Sequence, residues 1–299
     1  MWFKNARLFQ LNETLTLDAE QLSAALKNDA LKACAPMEAV SKGWVSPFGS
    51  DSELFVLKSG HAMLFALGVE EKVLPAAVVN HQLNQQLESI KAESGQKPGR
   101  KQQTDMKQQL MLEMLPQAFV KPKTIMAYLD LKLDLLVVDC ASQNAAEDLV
   151  SQLRQTLGSF KASAFGPSSA VAQVLTQWVI KAQGDAGFQP DNEIVLETLD
   201  DSKGVVRGRN IAHLEDQMKQ HIDNGYLVTQ LGLLFNDRIE LVLGHDLGLK
   251  KIKFTDVVLD QLDDESIESE WQLLDSRFTL FSLELRAMFK ALFDVFSSH

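Results

Sequence analysis

KAESGQKPGRKQQTDMKQQ, residues 91–109, carries Lys91, Lys97, Arg100, Lys101 and Lys107 against only Glu93 and Asp105, in a 299-residue chain of net charge −11. On its N-terminal side, Pro75 suits the first turn of a helix. Behind it Val79, Leu83, Leu87 and Ile90 recur at spacings of four, four and three, one apolar stripe of helical period. Gly95 and Pro98 end that helix. On the C-terminal side a second helix starts near Gln102, places Met106, Leu110, Met111, Met114 and Leu115 on one side, and stops at Pro116. The quoted stretch is therefore the turn of an αα-hairpin.

Working outward, the helical hairpin is flanked by β-hairpins. Residues 53–67 (ELFVLKSGHAMLFAL) hold two β-rich runs separated by Lys58-Ser59-Gly60, and residues 124–139 hold two more that turn near Leu131 to Asp134. A strand at 5–12 precedes a helix at 18–28 opened by Asp18. A helix at 143–157 closes on Gly158. Further on come a short strand at 161–165, a helix at 169–181, strands at 193–198 and 203–208, and a helix from His213 to Ile222 ended by Asn224-Gly225. Strands at 226–235, 238–243 and 250–255 precede a mostly helical 270–296. Strand runs and helix runs alternate irregularly, so the class is α+β with mostly antiparallel sheets and a projecting helical hairpin.

Composition narrows the function. There is no apolar run of 18 residues, so no membrane span is expected. The start, MWFKNARLFQ, lacks the apolar core and cleavage site of a signal peptide. Cys34 and Cys140 form no CxxC pair and read as small buried hydrophobes of a reducing compartment. No phosphate-binding glycine loop, nucleophile elbow or HExxH motif occurs, and no two histidines stand at i,i+4. His213 and His221 are too far apart on one helix for one metal. Asp263-Asp264-Glu265 is a carboxylate run that Mg²⁺ could use only with support from elsewhere. No catalytic residue, cofactor or metal is therefore expected.

The acidity is uneven. Residues 184–202 hold six acids and 256–275 eight, with no base in either, so the remaining chain is mildly basic. A polyanion responds to the local field, not to the average. Three basic clusters stand out: the quoted stretch, KGVVRGR at 203–209, and LKKIKF at 249–254. In an extended strand Lys203, Arg207 and Arg209 share one face, as do Lys251 and Lys253, with Lys250 on the other. Cations at such spacing can track phosphates without reading bases, or simply keep exposed strands soluble. No aromatic residues interleave them as single-strand stacking would need. Phe119, between Pro116 and Pro122, either closes the local core or is an exposed anchor for a second subunit.

Taken over its length, the chain resembles the RdgC family of recombination-associated nucleoid proteins. The matching stretches are MWFKNARLFQL (1–11), KGWVSPFGS (42–50), EEKVLPAAVV (70–79), LPQAF (115–119), VVDCAS (137–142), LRQTLGS (153–159), TQWV (176–179), GVVRGR (204–209) and LKKIKF (249–254), in order. The resemblance implies a non-enzymatic, cytoplasmic and nucleoid-associated protein that binds double-stranded DNA without sequence preference. It implies a ring-shaped homodimer around the duplex that restrains RecA-promoted strand exchange and bears on replication fork repair. It further implies a central part (1–75 and 118–165), a helical tip (76–117) and a base region (166–299), with Phe119 at the tip dimer contact. Lys97, Arg100, Lys101, Lys107, Lys203, Arg207, Arg209, Lys251 and Lys253 are then the DNA-binding candidates. Gln96, Gly99, Asn210 and Ile211 stand where other members can carry basic or polar residues, which bears on how tightly this one binds. Two other functions compete: a DNA-processing enzyme using Asp263 and Glu265 with Mg²⁺, and an acidic protein that binds RecA and ignores DNA.

Overall fold

A computed structural model describes residues 3–49, 52–166, 171–198, 204–209, 215–262 and 270–296. Strand β1 (Asn5–Leu11) leads into α1 (Ala19–Asn28), β2 (Val40–Val45), β3 (Leu57–Ser59) and β4 (Ala62–Val73). The helical hairpin follows as α2 (Ala76–Ser94) and α3 (Arg100–Met114), closed by a 3-10 turn at Leu115–Gln117. The chain returns through β5 (Phe119–Asp130), β6 (Leu135–Val138), α4 (Gln143–Leu157), β7 (Ala162–Ala164) and α5 (Val171–Lys181). The last part holds β8 (Phe188–Glu197), β9 (Val205–Arg209), α6 (Glu215–Asp223), β10 (Leu227–Phe235), β11 (Ile239–Gly244), β12 (Leu249–Phe254), α7 (Asp256–Leu259) and α8 (Glu270–Phe296). This is an α+β fold on one large sheet of antiparallel pairs, ordered β2-β4-β5-β6-β1-β12-β11-β10-β8-β9, with β3 on β4 and β7 on β1.

Local chemistry sets the boundaries. Asp18 and Gln21 cap α1 reciprocally, each side chain accepting from the other's backbone N–H at 2.8 and 3.1 Å. Ser142 caps α4, and Gly158 ends it in the left-handed conformation at φ 71°. The turn of the 53–67 hairpin is tighter than the sequence reading: Lys58 and Ser59 lie in β3, paired with Met63 and Ala62. β4 and β5 form a continuous twelve-pair ribbon from Ala62↔Asp130 to Val73↔Phe119. Its proximal half is buried in the core, whereas β5 is exposed from Phe119 to Thr124. The helical hairpin sits between the strands at the exposed end. It has its own small core of Val79, Leu87, Leu110 and Leu115, none of which belongs to the two main clusters. Met111, expected inward, is 43% exposed.

Two cores lie on opposite faces of the sheet. α1 and α4 cover one, with Leu22, Leu26, Leu149 and Leu153 packed on Phe9, Phe65 and Leu129. α5 and α8 cover the other, where Phe281, Leu285 and Phe289 meet Phe3, Tyr128 and the inward side chains of β10–β12. Cys140 is buried as expected, and burial pushes its thiol up to about 11. Cys34 is only half-buried, with its thiol donating to the Glu38 carbonyl at 3.0 Å.

The seam between the two halves of the sheet is short. β1 and β12 register only Asn5↔Lys250 and Ala6↔Leu249. Buried Arg7 reinforces the junction, donating to the Ala141 carbonyl at 2.9 Å and pairing with Asp246 at 2.7 Å. Gly248 leaves room for it, because a Cβ there would stand 2.5 Å from the guanidinium carbon and push the side chain aside. α8 crosses the same junction and is tied to β5 by Arg286, 2.6 Å from Asp130.

Within this core the Tyr128 hydroxyl has no hydrogen-bond partner among the described residues. Phe3, Phe278 and Phe281 surround the ring. Burial first, then the Asp130 charge, push its pKa well up. An unpartnered buried hydroxyl costs more than it contributes. Tyr128→Phe should therefore raise stability by about 1 kcal/mol, read as a higher denaturant midpoint. A comparable loss would mean that the hydroxyl has a partner.

Candidate nucleic-acid interface

The first group of cations lies at the turn of the helical hairpin. Lys97 in the loop pairs with Glu88 at 3.1 Å, both side chains more than half exposed. The hydrogen bond from Lys97, then its charge and that of Lys91, hold the Glu88 carboxyl below the usual range. Arg100 and Lys101 are exposed and open α3 two residues earlier than the sequence reading placed its start. That first turn contains no acid, and Gly99 at the N-cap offers no side chain to the free backbone N–H groups. Cations here oppose the positive end of the helix dipole at a cost of about 0.3–1 kcal/mol each. Helix stability therefore does not account for them. Lys107, nearly two turns on, is half-buried.

The second group lies on the sheet. β9 pairs with β8, and its burial alternates: Val205, Arg207 and Arg209 are exposed while Gly208 is buried against Ile194 and Met218. The shared face read for Arg207 and Arg209 is thus present. Lys203, Asp263, Asp264, Glu265 and His213 lie outside the described residues, as do Asn210 and Ile211.

β12 departs from the reading. Leu249, Ile252 and Phe254 all enter the same core, a spacing that strict alternation forbids. Lys251 is the irregular residue, left-handed at φ 54°, and the β11–β12 register slips between Glu240 and Val242. This bulge inserts one residue into the strand. Lys250 is consequently not set apart from Lys251 and Lys253 by alternation. Lys251 is also not a free cation: its Nζ donates to both Glu193 oxygens at 2.7 and 2.5 Å.

β8, β10, β11 and β12 frame a cleft of about 830 Å³ lined by three cations, Lys4, Lys251 and Lys253, and three acids, Asp191, Glu193 and Glu240. Lys4 belongs to none of the three basic clusters of the sequence, with Arg7 as its one nearby cation. Its backbone N–H is held by Asp139 at 3.2 Å. Burial pushes the Asp139 carboxyl up against that bond and the one from Asn5. Glu193 is directly opposite Arg209 in the β8–β9 ladder and bonded to Lys251, so one carboxylate joins the two sheet clusters. The structure thereby brings the second and third clusters together, while the hairpin cations form a separate group. Among the described residues no group of three His, Cys, Asp or Glu side chains could hold a metal ion. No helix there is long and apolar enough to cross a membrane.

Phe119 is 86% exposed at the end of the ribbon. The core alternative for this residue is therefore wrong. Val73, its cross-strand partner, and Val120 are also exposed.

The family model described as "Putative exonuclease, RdgC" matches residues 1–299. The chain is 33% identical over 290 residues to the recombination-associated protein RdgC of Xylella fastidiosa strain 9a5c, covering 97% of this chain and 95% of that one. It is 32% identical over 295 residues to the protein of that name from Proteus mirabilis, with 99% and 98% covered. Against that of Xanthomonas oryzae the identity is 34% over 290 residues, with 97% and 96% covered.

Proposed function

The chain belongs to the RdgC family, and from that premise we propose that it is a recombination-associated protein that binds double-stranded DNA through the phosphate backbone. One observation carries the reading. In a chain of net charge −11, Lys4, Lys251 and Lys253 from separate segments line one cleft on the sheet, and Arg209 stands opposite the cleft residue Glu193 in the neighbouring ladder. Arg100 and Lys101, placed against the α3 dipole, add a second contact region. The hairpin region has no aromatic among its cations, and Phe254, the one aromatic lining the cleft, is buried, which favours phosphate contact over base stacking. Binding of this kind is independent of sequence and screened by salt.

The functional form is a cytoplasmic, nucleoid-associated homodimer that encloses the duplex and restrains RecA by occupying DNA. An 86% exposed Phe119, beside exposed Val73 and Val120, suits one of its contacts. Retention then comes from topology, since each phosphate contact is weak. Raised salt should release the protein from linear duplex and leave it longer on closed circles. Phe119→Ser should shift the melting temperature little and remove that difference, because the ring opens. Equal dissociation from linear and circular DNA in the unmodified protein would eliminate enclosure and leave an open groove. The family description also names an exonuclease. Incubation of linear duplex with the protein and Mg²⁺ decides that point, since released nucleotides would establish turnover.

A further inference from the structure

The Glu193–Lys251 pair spans an unusual distance in the sheet. β8 and β12 are separated by β10 and β11, so the pair bridges two intervening strands. Irregularities on both sides make this contact. The β8–β10 register slips between Leu231 and Leu233. The displaced β8 segment lies over Gly232, where a Cβ would stand only 2.9 Å from the Glu193 nitrogen. On the other side Lys251 takes a left-handed conformation, uncommon for a residue with a side chain. Together these place a carboxylate on the central cation of the cleft.

We propose that the cleft is a phosphodiester subsite in which Glu193 occupies Lys251 until a DNA phosphate displaces it. Glu193 is then a competitor built into the interface, and the proposal rests on the DNA-binding reading above. A carboxylate and a phosphate oxygen offer an ammonium group the same charge-assisted bond. The pair is accessible, with side chains 57% and 31% exposed, and an accessible pair is weak enough to exchange. Lys4 and Lys253 line the same cleft and form no ion pair among the described residues, so they are available to hold the incoming phosphate while Lys251 changes partner.

The test is duplex binding by Glu193→Gln across a salt series. Freed Lys251 enters with a solution counterion to release. With one Lys251 freed in each subunit of the homodimer, affinity should rise roughly 10²-fold at 50 mM salt, and the salt slope should steepen by about two units. Glu240→Gln removes a charge from the same cleft without freeing a paired cation, and should give a clearly smaller gain. In a Lys251→Gln background the Glu193→Gln gain should vanish. Equal gains from Glu193→Gln and Glu240→Gln, or a gain that persists without Lys251, would reduce the effect to bulk repulsion and overturn the proposal. A loss of affinity with an unchanged melting temperature would overturn it as well. If the unmodified protein does not bind duplex at all, the DNA-binding reading fails first and the subsite with it.

Discussion

Arg286→Ala should destabilise the protein by about 3–5 kcal/mol, the largest single-residue effect expected outside the apolar core. The partner explains the size. Asp130 is completely buried. One of its oxygens takes the Arg286 Nε at 2.6 Å, and the other accepts the backbone N–H groups of Lys132 and Leu133 at 3.0 and 3.2 Å. Truncating the arginine leaves a carboxylate in the core with two neutral donors. Breaking a buried pair is far costlier than the pair is worth, because the desolvation penalty of the survivor remains. Arg286 also fastens α8 to the end of β5 at the β5–β6 turn. Urea unfolding measures the loss. Asp130→Asn combined with Arg286→Met should recover much of it, since no charge is then stranded. By contrast, breaking the exposed Lys27–Glu53 pair should leave the urea midpoint almost unchanged. A similarly small effect for Arg286→Ala would mean that water reaches Asp130.

Much of the fold was legible because its boundaries are written in short-range chemistry. Asp18, Ser142, Gly158 and Asn224-Gly225 stop or start helices by capping and by left-handed backbone, and these act within a few residues. The helical hairpin was legible for the same reason. What was missed depends on partners far along the chain. The outer half of the β4–β5 ribbon carries Glu70, Glu71, Lys72, Lys121, Pro122 and Lys123, and with both faces solvated it has no apolar alternation to read. β2 has no strand signature in sequence although Trp44 is buried, because Lys42 and Gly43 interrupt the pattern. The candidate site shows the same division. Parity correctly grouped Arg207 with Arg209. It misplaced Lys250 because a bulge at Lys251 resets the alternation, and a bulge depends on the partner strand. Glu193 had no signal at all: its bond to Lys251 joins residues 58 positions apart across two other strands.

Replacing Arg100 and Lys101 together by glutamate should weaken duplex binding and strengthen the helix, two effects of opposite sign from one change. Both residues lie in the first turn of α3, exposed, with no acid beside them in that turn. Glutamate there complements the helix dipole, so each substitution should gain about 0.3–1 kcal/mol of stability on replacing a cation. The DNA consequence follows from counterion release. With two fewer cations facing phosphates in each subunit, four in the homodimer, the salt slope should flatten by about four units and affinity should fall roughly 10⁴-fold at 50 mM salt. The weakening should be equal for all duplex sequences, because phosphate contacts carry no base information. Thermal melting and mobility shifts across salt read the two effects independently. A general loss of structure would lower the melting temperature together with affinity, whereas the interface reading requires that the melting temperature rise as affinity falls. Unchanged affinity in the stabilised variant would remove the hairpin from the interface and leave the sheet cleft as the only DNA contact among the described residues.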